Sequence, residues 1–130
     1  MSKVDILADP KGRERKVKAF SRVLKELKVD YLVAAQSRDT SLASMVGMHE
    51  GVPMSYLHDD GTLTAQSELW KSKSPALIVD GIDDFTLLSK TVQEVNAAGG
   101  RMKHGLLNGK PSSEELRKLK TLGLTWHVVT

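Results

Sequence analysis

Cysteine is absent from the 130 residues, which excludes disulfides, thiolate metal centres and a cysteine nucleophile. Its absence agrees with a reducing compartment, and a cytoplasmic location is the expectation. No apolar run approaches the roughly 18 residues that would cross a bilayer, so no membrane partner is expected. The opening Met-Ser-Lys-Val-Asp lacks the apolar core of a secretory signal. Also missing are a nucleophile elbow, a Walker loop and a dinucleotide fingerprint, which removes three large enzyme classes from consideration. The four histidines, His49, His58, His104 and His127, show no ligand spacing, and a zinc or iron centre is not expected. There is no internal repeat, linker or low-complexity tract.

What is present describes an ordinary globular chain. Apolar residues make up 40% and charged residues 27%, enough for a core without staples. One domain over residues 1–130 is the expectation, with a helical segment at 1–28 and a core at 29–130. The formal charge is only +3, and much of it comes from Lys11, Arg13, Arg15, Lys16, Lys18, Arg22, Lys25 and Lys28. That run reads as the solvated face of an amphipathic helix, and no nucleic-acid partner is expected.

Apolar periodicity divides the chain into alternating strands and helices. Asp9-Pro10 opens a helix with a capping acid and a proline in the first turn, and Val17, Phe20, Val23, Leu24 and Leu27 form its stripe. Val29 to Ala35 reads as a doubly covered strand. A polar loop follows, then a helix over Ser41 to His49 closed by Gly51, and a strand from Val52 to Leu57. His58-Asp59-Asp60-Gly61 signals a turn, and Thr62 to Lys73 reads as a hairpin, a short helix or a lid. Ala76 to Asp80 is a third strand, Thr86 to Ala97 a helix ended by Gly99-Gly100, and Arg101 to Leu107 a fourth strand. Ser112 with Glu115 is a capping box for a last helix, before a strand over Thr125 to Val129. Alternation of this kind predicts an α/β fold, doubly wound, with a mostly parallel sheet. Trp126 alternates with Leu124 and Val128 as on a buried sheet face, whereas Trp70 beside Lys71 reads as a contact residue.

The stretch Leu77-Ile78-Val79-Asp80-Gly81-Ile82-Asp83-Asp84-Phe85-Thr86 carries the chemistry. In open parallel sheets, ligands collect outside the carboxyl ends of the strands. Asp80, Asp83 and Asp84 are delivered to that position by an apolar strand.

With the run Tyr31 to Ala43 through Gly51-Val52-Pro53, and with the closing Leu119 to Val129, this stretch resembles the type I phosphoribosyltransferases, most closely the orotate phosphoribosyltransferase group. The similarity covers about Val29 to Thr130. It implies that the cleft binds a sugar-phosphate or nucleotide. Asp80 and Asp84 would be catalytic, Asp80 holding ribose hydroxyls and Asp84 facing the base. Gln36, Ser37, Arg38, Asp39 and Thr40 would meet pyrophosphate. Gly81, Asp83, Phe85 and Thr86 would be substrate-binding, with Thr86 and neighbouring amides on the 5′-phosphate. It implies no resident cofactor beyond a magnesium ion bridging a diphosphate to Asp80, and a homodimer or another protein partner. If active, the protein would be a glycosyltransferase of this type, working by positioning and charge stabilisation.

The sequence also departs from the family pattern. Gly81 stands where the second acid of the pair would be, and Asp84-Phe85-Thr86-Leu87-Leu88 contains no glycine where the phosphate-cradling turn would fall. A tight anion nest wants residues that accept positive φ. Arg38 could grip a phosphate bidentately or pair with Asp39 or Asp80, and Asp84 could instead cap the following helix. His58, Asp59 and Asp60 replace the basic mobile loop of the orotate enzymes, with Lys71 and Lys73 only at its far end. Two readings stay open: a ligand-binding phosphoribosyltransferase-like protein, and a pseudoenzyme whose surface serves protein partners or assembly.

Overall fold

The computed structural model describes residues 9–56 and 74–130. The turn at His58 to Gly61, the stretch from Thr62 to Lys73, Trp70 and the end of the expected second strand at Leu57 lie outside the described residues. Helix α1 spans Pro10–Leu27, strand β1 Tyr31–Ala34, helix α2 Ser37–Glu50 and strand β2 Met54–Tyr56. Strand β3 then spans Pro75–Val79, helix α3 Phe85–Ala97, strand β4 His104–Asn108, helix α4 Ser113–Lys120 and strand β5 Thr125–Val129.

The caps explain where the helices start. The Asp9 carboxylate accepts from the amides of Lys11 and Gly12 at 3.3 and 3.1 Å, with Pro10 at the first helical position. Ser112 and Glu115 exchange both bonds of a capping box, at 3.1 and 2.9 Å. The start of one helix differs most from expectation. Helix α2 begins at Ser37 rather than Ser41, so Ser37, Arg38, Asp39 and Thr40 form its first turn instead of a loop. The physical reason is a long-range one, set out with the site below.

All pairings in the sheet are parallel, in the order β2-β1-β3-β4-β5. β4 also begins and ends later than the apolar pattern suggests, because its ladder runs from His104, opposite Ala76 and Thr125, to Asn108, opposite Val129. Residues of each central strand alternate between two cores, as a two-residue repeat requires. Leu32, Ala34, Ala76, Ile78 and Leu106 pack under α1 and α2, against Phe20, Leu24, Leu42 and Val46. Tyr31, Val33, Leu77, Val79 and Leu107 pack on the opposite face against Leu88, Val92, Val95 and Leu119. Phe20, Leu24 and Leu42 are at most 1% exposed, so each contributes roughly 2 kcal/mol of burial. The two helical layers account for why these strands read as unbroken apolar runs.

Trp126 fixes the sheet's far side. Its indole lies over Gly105 on the neighbouring strand, and its Nε1 donates to the Leu119 carbonyl at 2.8 Å. Leu124 is buried on this face, but Val128 is 43% exposed, so the buried stripe read along β5 stops short of its end.

Candidate functional site

The strand order places a topological switch between β1 and β3: the chain leaves β1 toward one edge of the sheet and leaves β3 toward the other. The crevice at such a switch is where open α/β sheets hold ligands. Gln36 follows β1 there and Asp80 to Asp84 follow β3, so the two segments singled out in the sequence converge.

Gln36 closes that crevice from within. Its Nε2 donates to Asp39 Oδ2 at 2.8 Å and to the Gly81 carbonyl at 3.0 Å. Its Oε1 accepts from the amides of Asp83 and Asp84 at 2.8 and 2.9 Å. Both donor hydrogens and both acceptor positions of the amide are thus in use. The loop after β3 is held to the start of α2, and this explains why residues 37–40 wind into helix. Gly81 adopts φ 82° within that loop, a conformation glycine takes without steric cost.

Asp39 sits beneath the staple and is 0% exposed. Its carboxylate accepts from the Asp80 amide at 2.7 Å, and from the Gln36 amide at 3.2 Å in addition to the Gln36 side chain. Burial pushes its pKa up to about 6, against these hydrogen bonds, which hold it down, and with the nearby Asp80 charge adding to the rise. The carboxylate is therefore engaged by the Gln36 side chain and by two backbone amides.

Asp80 is 1% exposed and is gripped at both oxygens. Oδ1 accepts from Asn108 Nδ2 at 2.7 Å, and Oδ2 lies 3.9 Å from Arg38 Nε. Asn108 was missed in the sequence. Its signal was an amide side chain ending the apolar run Leu106-Leu107, the same grammar that marked Asp80. Arg38 reaches across to Asp83, Nη1 to Oδ1 at 2.8 Å, a partner not foreseen, while its buried Nε has no hydrogen-bond partner among the described residues.

Asp84 caps α3. Its Oδ1 accepts from the amides of Thr86 and Leu87 at 3.0 and 3.4 Å. Those are the first-turn amides that would otherwise be open to an anion. Phe85 is half-buried against the α3-side core, and Thr86 is exposed. Ser37 is exposed, and the Thr40 hydroxyl donates to the Gln36 carbonyl at 3.2 Å. Among the described residues no three carboxylate, imidazole or thiol side chains gather as metal ligands. Asp80 and Asp83 already share one guanidinium, so the donor set does not fit a protein-held magnesium.

The structure also brings together two histidines that the sequence left apart. His104 Nδ1 and His127 Nε2 are 3.0 Å from each other across β4 and β5. Burial lowers the pKa of His104, with His127 and Lys103 adding to the effect. This pair is far from the switch crevice and takes no part in it.

A five-stranded parallel sheet in this order, layered by helices, is a doubly wound α/β fold, and phosphoribosyltransferases are among the proteins that share it. Solved structures agree. The chain is similar to an adenine phosphoribosyltransferase from Thermoanaerobacter pseudethanolicus (TM-score 0.74, 14% identity), over 95% of this chain and 82% of that one. It is similar to an orotate phosphoribosyltransferase from Aeropyrum pernix (TM-score 0.73, 10% identity), over 98% of this chain and 75% of that one. A Rhodothermus marinus adenine phosphoribosyltransferase gives a TM-score of 0.69 at 16% identity, over 95% of this chain and 81% of that one. No family model matches the chain, and no curated protein matches it in sequence. The likeness is one of fold. None of the helices among the described residues is long and apolar enough to cross a membrane.

Proposed function

We propose that this chain binds a sugar-phosphate or nucleotide at the carboxyl ends of β1 and β3 and does not carry out phosphoribosyl transfer. Arg38 is the observation that carries the binding half. Its guanidinium stands between Asp80 and Asp83 with a buried Nε that donates to nothing among the described residues. A phosphate oxygen would satisfy that donor once Arg38 turns away from Asp83, and the carboxylates so released would accept from ligand hydroxyls. Asp80, held by Asn108 and 1% exposed, would accept from those hydroxyls only with that movement of Arg38.

The absence of transfer rests on two closures. The α3 amides that could wrap a 5′-phosphate are taken by Asp84. The segment that could embrace pyrophosphate is helix, stapled by Gln36. Positioning and charge stabilisation are the whole of this chemistry, and both anion grips are filled by the protein's own groups. A magnesium ion would enter only on the ligand's phosphates. A second reading, a non-catalytic module for protein partners or self-assembly, draws on the same closures.

Isothermal titration with adenosine 5′-monophosphate, and with phosphoribosyl pyrophosphate plus magnesium, tests this directly. Heat that is lost in Arg38→Gln and in Asp80→Asn, with no pyrophosphate release in the presence of adenine or orotate, is the expected result. Silence at millimolar ligand would reject the binding half and leave the protein-partner reading. Steady release of pyrophosphate would reject the other half.

A further inference from the structure

The positive charge of this protein is segregated onto one helix. Within Pro10–Leu27, seven lysines and arginines face two glutamates, a net +5 on a single element of a chain whose total is +3. Everything outside α1 is therefore acidic on balance. The segregation is also geometric. Lys11, Arg15, Lys18, Arg22 and Lys25 recur at alternating steps of four and three, which puts them in one file along the helix. All five are exposed. They lie opposite Val17, Phe20 and Leu24, the residues that seat α1 on the sheet.

Intramolecular pairing accounts for only part of the file. Lys18 meets Glu14 at 3.0 Å, and Lys25 meets Glu50 at 3.6 Å. Both are solvent-exposed at the lysine, so each pair is weak and exchangeable. Lys11, Arg15 and Arg22 form no ion pair among the described residues. From Lys11 to Lys25 the file is about 21 Å long at 1.5 Å per residue. A duplex presents about a dozen phosphates over that distance, one per roughly 1.7 Å of axis.

The geometry points to α1 as a sequence-independent docking surface for the phosphodiester backbone of a nucleic acid. A membrane suits the helix less well. An interfacial helix needs an apolar face free to enter the lipid, and the apolar face of α1 is consumed by the core. The file consists of lysines and arginines alone, so the contact is taken as one of charge to the phosphates. This surface is separate from the Arg38 crevice and does not depend on a ligand there.

Fluorescence anisotropy with labelled 20-nucleotide single strands and duplexes, of DNA and RNA, is the test. About four phosphate contacts predict a slope near −3.6 in log K against log salt for duplex, hence a loss of roughly 150-fold between 50 and 200 mM. The triple variant Lys11→Gln, Arg15→Gln, Arg22→Gln touches no core residue. It should bind at least about 30-fold more weakly at 50 mM and bring the slope to about −1. Circular dichroism would verify that it folds. Undetectable binding at 50 mM salt overturns the inference. So does binding that the triple variant leaves intact, or capture by anionic lipid vesicles without capture by any nucleic acid.

Discussion

Replacing Gln36 with alanine should open the crevice at a cost that the hydrogen bonds set. The side chain makes four bonds: two donated to Asp39 and Gly81, two accepted from Asp83 and Asp84. Net values of roughly 0.5–1.5 kcal/mol each give a range of about 2–6 kcal/mol. The Asp83 and Asp84 amides are only part-buried and would be rehydrated, which moves the figure to the lower half, about 3 kcal/mol. For a chain of 130 residues this is a fall in melting temperature of about 10 °C. Urea unfolding of Gln36→Ala measures the energy, and native-state hydrogen exchange locates it. The amides of residues 83 and 84 should exchange much faster, while those of β3 exchange at rates set by global stability. A loss below about 1 kcal/mol, or unchanged protection at 83 and 84, would refute the idea that this amide organises the loop.

Two further outcomes follow from the packing and the buried acid. In Gly105→Ala the new Cβ would stand 2.4 to 2.7 Å from three carbons of the Trp126 ring. The indole must shift and its bond to Leu119 must stretch, at about 2–3 kcal/mol. Denaturant unfolding with a tryptophan emission shift would register this, and parental stability would contradict the overlap. For Asp39 the folded pKa is raised from 3.8 to about 6, so its contribution is present at low pH and is lost as pH rises through 6. His104 works in the opposite sense, since its lowered pKa removes stability as pH falls below the ordinary histidine value. In His104→Gln, acidification from pH 7 to 5 should therefore add about 1 kcal/mol through Asp39. A flat or falling unfolding free energy over that interval would sink the assignment.

The order of strands and helices was legible because each central strand is buried on both faces and each helix on one. The caps at Asp9 and at Ser112 with Glu115 were legible because they act within four residues. The start of α2 was not. Gln36 is a poor local signal, and its role depends on Gly81, Asp83 and Asp84, which only the β1–β3 pairing brings near. Asp80, Asp83 and Asp84 follow β3 at its carboxyl end, as the apolar run before them indicated, yet their partners were not legible. Nothing in the sequence distinguishes an Asp39 that meets solvent from one that accepts an amide from the next strand over. Arg38 illustrates the same limit: Asp80 was among its foreseen partners, Asp83 was not. His104 and His127 meet only through the register of β4 with β5.

Gly81 ties the loop after β3 to one backbone conformation. The family pattern has an acid in its place, and aspartate at φ 82° would carry roughly 1–2 kcal/mol of left-handed strain. It would also add a third carboxylate beside the Asp80 and Asp83 that already share Arg38. An acid at this position therefore requires the backbone to change along with the side chain. Gly81→Asp of undiminished stability would show that the loop accepts the acid without such a change.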